Sequence, residues 1–126
     1  MIVLDTCAIL WIVDGGDTIS ADVRARIDAE PIVAVSAISA FEVALKYRGG
    51  NLRLPLPPEE WWRRVVEHHH LDVINLDDTV AMRATTLPPI YGDRADRFII
   101  ATAHLYNAPV LTSDSRFYAY GVTVIL

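Results

Sequence analysis

Along this chain short apolar runs alternate with stretches of helical period, the pattern of strand–helix–strand units around a parallel sheet with helices on both faces. Candidate strands fall at residues 1–5, 32–35, 72–76, 109–113 and 122–126. They are rich in β-branched residues (Ile2-Val3, Ile32-Val33, Val73-Ile74, Val122-Thr123-Val124-Ile125). Strands covered on both faces lose the alternation of a half-exposed sheet, and these runs show none. The expected fold class is therefore α/β: a three-layer α/β/α sandwich with a central parallel sheet of four to five strands.

Between the strands, Ser36 through Tyr47 reads as a helix with Ile38, Phe41 and Leu45 on one face, and Gly49-Gly50 supplies its stop. Its polar stripe is Ser39, Glu42 and Lys46. Pro57-Pro58-Glu59-Glu60 opens a second helix with proline and acids in the favoured first turn. Trp61, Trp62, Val65, Val66 and His69 follow at helical spacing, a stripe that suits a core or a partner. The stretch Ala95 to Tyr106 is apolar or small almost all round and should be the most buried helix, with Asp96 at its start. The segment LRLPLPP at 52–58 reads as a loop.

At 126 residues the chain fits one domain, spanning 1–126. Apolar residues make up 52% and charged residues 21%, a balance that supports a packed core rather than disorder. The net charge of −5 has the wrong sign for a broad basic surface on nucleic acid, so any RNA contact must be local. Arg48, Arg53, Arg94, Arg97 and Arg116 are candidates for a local basic rim, or are solvated surface cations. The single Cys7 excludes an internal disulfide and suits a reducing, cytoplasmic setting, and it reads as a small buried hydrophobe. No apolar run reaches the length of a membrane span, so no membrane partner is expected.

In open α/β sheets ligands bind outside the carboxyl ends of the strands, and four acids fall there. Asp5 ends the first strand, Glu42 lies in the helix after the second, Asp96 opens the buried helix, and Asp114 closes the fourth strand. Carboxylate oxygens with remaining water positions are what Mg²⁺ or Mn²⁺ prefers, and gathered acids repel one another without such an ion. The chemistry that follows is phosphoryl hydrolysis, in which the ion activates water and offsets charge growing on a phosphodiester.

The segments MIVLDT, SAFE, ADRFIIATA and LTSDSRF, in this order and spacing, resemble the PIN-domain family over nearly the whole chain. Within it the VapC toxins of toxin–antitoxin pairs are the nearest likeness, through LKYRGGNLRLPLPP and the GDRADR run as well. The resemblance implies a metal-dependent endoribonuclease whose four acidic metal-site positions are Asp5, Glu42, Asp96 and Asp114. Thr112 matches the family's hydroxyl residue beside the last acid. The expected cofactor is Mg²⁺, with Mn²⁺ as the alternative. The resemblance further implies toxicity by blocking translation, a VapB-like antitoxin whose tail covers the pocket, a structured RNA (tRNA or rRNA) cut in a loop, and a homodimer. Departures stand at Tyr91, at Arg94 and at Cys7, where relatives often carry other residues.

Each acid also has a structural reading. Asp5 suits a helix cap, Glu42 a capping box with Ser39, Asp96 a helix N-terminus, and Asp114 a turn. Asp93 is a second-tier candidate, as a cap or as an acid reaching the metal through water. Lys46, one turn after Glu42, reaches a phosphate, balances the acids or is solvated. Adjacent residues of a helix point about 100° apart, so His68, His69 and His70 cannot jointly hold one ion from a regular helix. Two other functions compete: a receiver-like domain phosphorylated on Asp5, and a PIN-like scaffold that binds RNA or protein without cutting.

Overall fold

The computed structural model describes residues 1–15, 18–90 and 94–125. Its elements run in chain order β1 (Ile2–Leu4), α1 (Thr6–Asp14), α2 (Ala21–Ala29), β2 (Val33–Ser36), α3 (Ala37–Arg48), α4 (Pro58–His68), β3 (Leu71–Ile74), α5 (Asp78–Thr85), α6 (Arg94–Tyr106), β4 (Val110–Leu111), a 3₁₀ helix (Ser115–Tyr120) and β5 (Val124–Ile125). The five strands form one sheet in the order β3-β2-β1-β4-β5, and every neighbouring pair is parallel. The α/β expectation holds with five strands, although the strands are shorter than the apolar runs that announced them.

Pleating divides the core in two. Ile2 and Leu4 point to one face of β1 and pack with Ala8 and Ile9 of α1, Val23 of α2, and Trp61 and Val65 of α4. Val3, between them, points to the other face and packs with Val80 and Ala84 of α5, Ile99 and Ile100 of α6, and Phe117. All three β1 residues are completely buried, which is why their sequence shows no alternation.

Helix α6 is as buried as expected, with Ile99, Ile100, Ala101 and Thr102 sealed from solvent. Its Arg97 is not part of a basic rim. The guanidinium donates to the carbonyls of Ala84 (3.0 Å), Leu87 (2.7 Å) and Pro88 (2.9 Å), tying α6 to the end of α5. Trp61 and Val65 of α4 are buried as core, with Trp62 and Val66 packed partly against it.

Two expectations need correction. Phe41 and Leu45 of α3 are exposed (59% and 58%), and the helix buries Ser39 and Val43 instead, because the small serine lets it lie close against its neighbours. Cys7 is exposed rather than buried, since the first turn of α1 turns Ala8 and Ile9 inward and leaves position 7 on the outer side. His68 closes α4, His69 follows as its cap, and His70 adopts a left-handed φ of 52°, so the triplet terminates a helix as the geometry required.

Candidate metal centre

The sheet register brings three chain segments to one edge. Leu4 is paired with Val35 of β2 and with Leu111 of β4, so Asp5, Ser36 and Thr112 leave the sheet at the same level. The chain passes from β1 to one side and returns to its other side for β4. This is the switch point at which doubly wound sheets open a crevice.

Asp5 stands in that crevice, 7% exposed. One carboxylate oxygen accepts the Ala8 N–H at 2.8 Å as the cap of α1, and the other accepts the Thr112 hydroxyl at 2.6 Å. The capping reading and the site reading are thus both true of this residue. Burial pushes its carboxyl above the ordinary 3.8, the bonds from Thr112 and Ala8 pull it down, the charge of Asp114 raises it, and Lys46 lowers it. Among the groups it feels, Asp114 and Lys46 come from segments far apart in sequence.

Thr112 joins the first and last acids. It donates to Asp5 while its oxygen accepts the Asp114 backbone N–H at 3.0 Å. Glu42 is not in a capping box with Ser39: Ser36 caps α3, and the Glu42 carboxylate accepts the Thr6 hydroxyl at 2.5 Å. Thr6 also lies 2.9 Å from the buried Ser39 hydroxyl. Sequence reading missed Thr6, and only its place directly after Asp5 signalled it.

Asp114 caps the 3₁₀ helix through the Arg116 backbone N–H, and its two oxygens meet the Arg116 guanidinium at 3.0 and 2.8 Å. Asp96 lies in the first turn of α6. Its charge reaches the pocket: although Cys7 is exposed as a residue, partial desolvation raises its thiol first, then the charges of Asp5, Glu42 and Asp96, with Lys46 opposing. Cys7, at the pocket's edge, therefore feels three of the four predicted acids, and Asp5 feels the fourth. Asp93 and Tyr91 lie outside the described residues, and so does the side chain of Arg94.

The donor set is carboxylate and hydroxyl oxygen throughout, which suits a hard divalent cation in kind. Among the described residues no three His, Cys, Asp or Glu side chains stand close enough together to form a finished ligand set. Glu42 accepts the Thr6 hydroxyl, and Asp114 accepts the Arg116 guanidinium.

A five-stranded parallel sheet with Asp5 at its switch point, flanked by helices, defines an α/β protein. The model of the PIN domain matches residues 2–122, and the chain belongs to that family. It is 30% identical over 116 residues to "Ribonuclease VapC22" of Mycobacterium tuberculosis, covering 91% of this chain and 88% of that one. Its fold is similar to that of FitAcB from Neisseria gonorrhoeae, with TM-score 0.70, 23% identity, and coverage of 100% of this chain and 97% of that one. It is also similar to VapBC2 from Rickettsia felis bound to a DNA fragment from their promoter, with TM-score 0.74, 15% identity, and coverage of 99% and 98%.

Proposed function

We propose that this PIN domain is the toxin of a toxin–antitoxin pair and an endoribonuclease dependent on Mg²⁺ or Mn²⁺, with Asp5, Glu42, Asp96 and Asp114 as its metal-holding acids. One observation carries the reading: Asp5 is a buried carboxylate whose direct partners are neutral donors, with the charge of a second acid beside it. An ionised group so placed is costly unless a cation compensates it. The likeness to a ribonuclease, and to toxin–antitoxin complexes in fold, supports the same conclusion.

The cation, when bound, supplies a Lewis acid that eases ionisation of a water and offsets charge on the phosphodiester. The chain's own residues prepare that step. Thr112 and the Ala8 N–H fix the Asp5 carboxylate, and Thr6 orients Glu42. Lys46 places a positive charge near the acids, where the overall charge of −5 would otherwise repel RNA. In the hydrolysis a water oxygen forms a new bond to phosphorus, the bond to the leaving oxygen breaks, and that oxygen recovers a proton from solvent.

A structured RNA, tRNA or rRNA, cut in a splayed loop is the substrate class, because single-stranded loops expose what a small pocket can read. The inhibitor is a VapB-like antitoxin with a cationic tail, the charge that a cluster of acids attracts. A second copy of the chain completes the assembly. The match to the PIN domain over residues 2–122 favours the nuclease reading over the receiver-like alternative. The decisive experiment compares wild type with Asp96→Asn, matched for folding by circular dichroism, on total cellular RNA in Mg²⁺ or Mn²⁺. Cleavage is expected to fall by about 100-fold or more. Undiminished cleavage by the variant would remove Asp96 from the site.

A further inference from the structure

Arg116 is a positively charged group in direct contact with an acid of this pocket, and its placement carries more than a surface ion pair. Its Nε and Nη2 meet the two oxygens of Asp114 at 3.0 and 2.8 Å, a fork-to-fork pair that engages both carboxylate oxygens. That carboxylate belongs to the pocket: its backbone N–H bonds Thr112, Thr112 bonds Asp5, and its charge is felt at Asp5. A guanidinium held on both oxygens competes with a divalent cation for the charge of the same carboxylate.

The pair is easily parted. The two side chains are 59% and 23% exposed, and ion pairs open to solvent contribute little to stability. A doubly charged ion attracts the same carboxylate about twice as strongly at equal distance. Once displaced, the guanidinium stays tethered at the edge of the pocket, two residues from the acid, with a planar fork that matches a phosphate as well as it matched the carboxylate.

We infer that Arg116 exchanges partners: it clamps Asp114 in the cation-free protein, and it binds a phosphate of the RNA once a divalent ion has taken that acid. The inference rests on the function proposed above. It makes Arg116 a substrate-binding residue whose contribution is conditional on metal, and it makes the metal-free protein self-occluded at one of its ligands.

Arg116→Ala is a clean probe because the cap bond from the position-116 backbone N–H to Asp114 survives the substitution. Two binding measurements on the full chain test the exchange. Titration of Mn²⁺ alone by calorimetry should show the variant binding severalfold more tightly than wild type, since the Arg116 guanidinium no longer competes for Asp114. Affinity for a labelled stem-loop RNA, measured against salt in Ca²⁺ with the RNA verified intact, should fall. The slope of log affinity on log salt should shrink by about 0.7, the value of one phosphate contact on a single strand. In EDTA that difference between the proteins should vanish, and Arg116→Lys should recover part of the RNA affinity in Ca²⁺.

A purely structural Arg116 would give the opposite record: Mn²⁺ affinity unchanged or weaker, or a salt slope equal in both proteins with Ca²⁺ present. Either result overturns the exchange. If wild type binds Mn²⁺ and cleaves RNA while the variant changes neither constant, the inference alone fails. If wild type neither binds Mn²⁺ nor cleaves, the function proposed above fails with it.

Discussion

At the scale of the residue, Asp5 shows how a site is kept at the expense of the fold. Burial holds its carboxyl above the ordinary 3.8, against the pull of two hydrogen bonds. A carboxyl whose folded-state value is raised binds its proton more readily folded than unfolded. Its favourable contribution is complete below the unfolded value, near 3.8, and is lost as pH rises through the higher folded value. At neutral pH, without metal, the ionised Asp5 therefore weakens the protein. Asp5→Asn keeps the cap through its amide oxygen, and its amide nitrogen donates to the Thr112 oxygen. The variant should be more stable than wild type in EDTA at about pH 7, with the gain shrinking as pH falls toward the unfolded value. Urea unfolding at several pH values measures this, and a variant less stable at neutral pH would contradict it. RNA cleavage should be lost in the same protein, since stability and activity oppose each other at such a residue.

At the scale of the element, α6 carries Asp96, and Arg97 next to it determines where α6 sits. Its guanidinium bonds three carbonyls at the end of α5 and in the following loop, where helical carbonyls lack partners of their own. Arg97→Ala removes this donor from the Ala84 and Leu87 carbonyls, while Pro88 keeps the Ile90 N–H, and should lower stability by about 2 kcal/mol, roughly 8 °C in Tm. Arg48→Ala breaks only the exposed pair with Glu59 and should stay within about 1 kcal/mol. Equal losses in thermal unfolding would refute the distinction.

These arginines also mark what sequence could and could not yield. Asp5 was legible because the apolar run before it sets the end of β1, whereas Asp114 lies beyond the end of β4 at Leu111 rather than closing that strand, and Thr112 ties it back to Asp5. Arg97 was not legible, because its partners are backbone carbonyls that no residue type announces. Helix α1 was legible only as the helix that Asp5 would cap, and its extent was hidden because TCAILWIVD follows β1 without a break and is apolar on nearly every side. Helix α2 was hidden for the reverse reason, burying only Val23. The burial of α3 misled because Phe41 and Leu45 have the right spacing for a core face, and the small Ser39 took that place. The 3₁₀ helix that seats Arg116 is six residues long and has no period to read.

At the scale of the whole molecule, the family match fixes the fold, while the metal reading depends on a coupling between charge and stability that the fold alone does not guarantee. The chain is acidic overall, and Asp5 lies where β1 and β4 part, with the charge of Asp114 felt at it and those of Glu42 and Asp96 felt at the neighbouring Cys7. Their like charges raise the free energy of the folded state, and in the unfolded chain the same acids are far apart and solvated. A divalent ion that joins them consequently binds the folded chain in preference, and linkage turns that preference into stability: about 2.7 kcal/mol when the free ion exceeds its dissociation constant 100-fold. Mn²⁺ should therefore raise Tm well beyond a monovalent salt at equal ionic strength, because general screening cannot bridge particular oxygens. Asp5→Asn and Asp96→Asn should each blunt the rise, and Arg116→Ala should move it to lower Mn²⁺. Differential scanning calorimetry in EDTA, NaCl and MnCl₂ resolves the three. A Tm indifferent to Mn²⁺ in the wild type would leave a PIN fold whose acids serve only as caps and ion-pair partners.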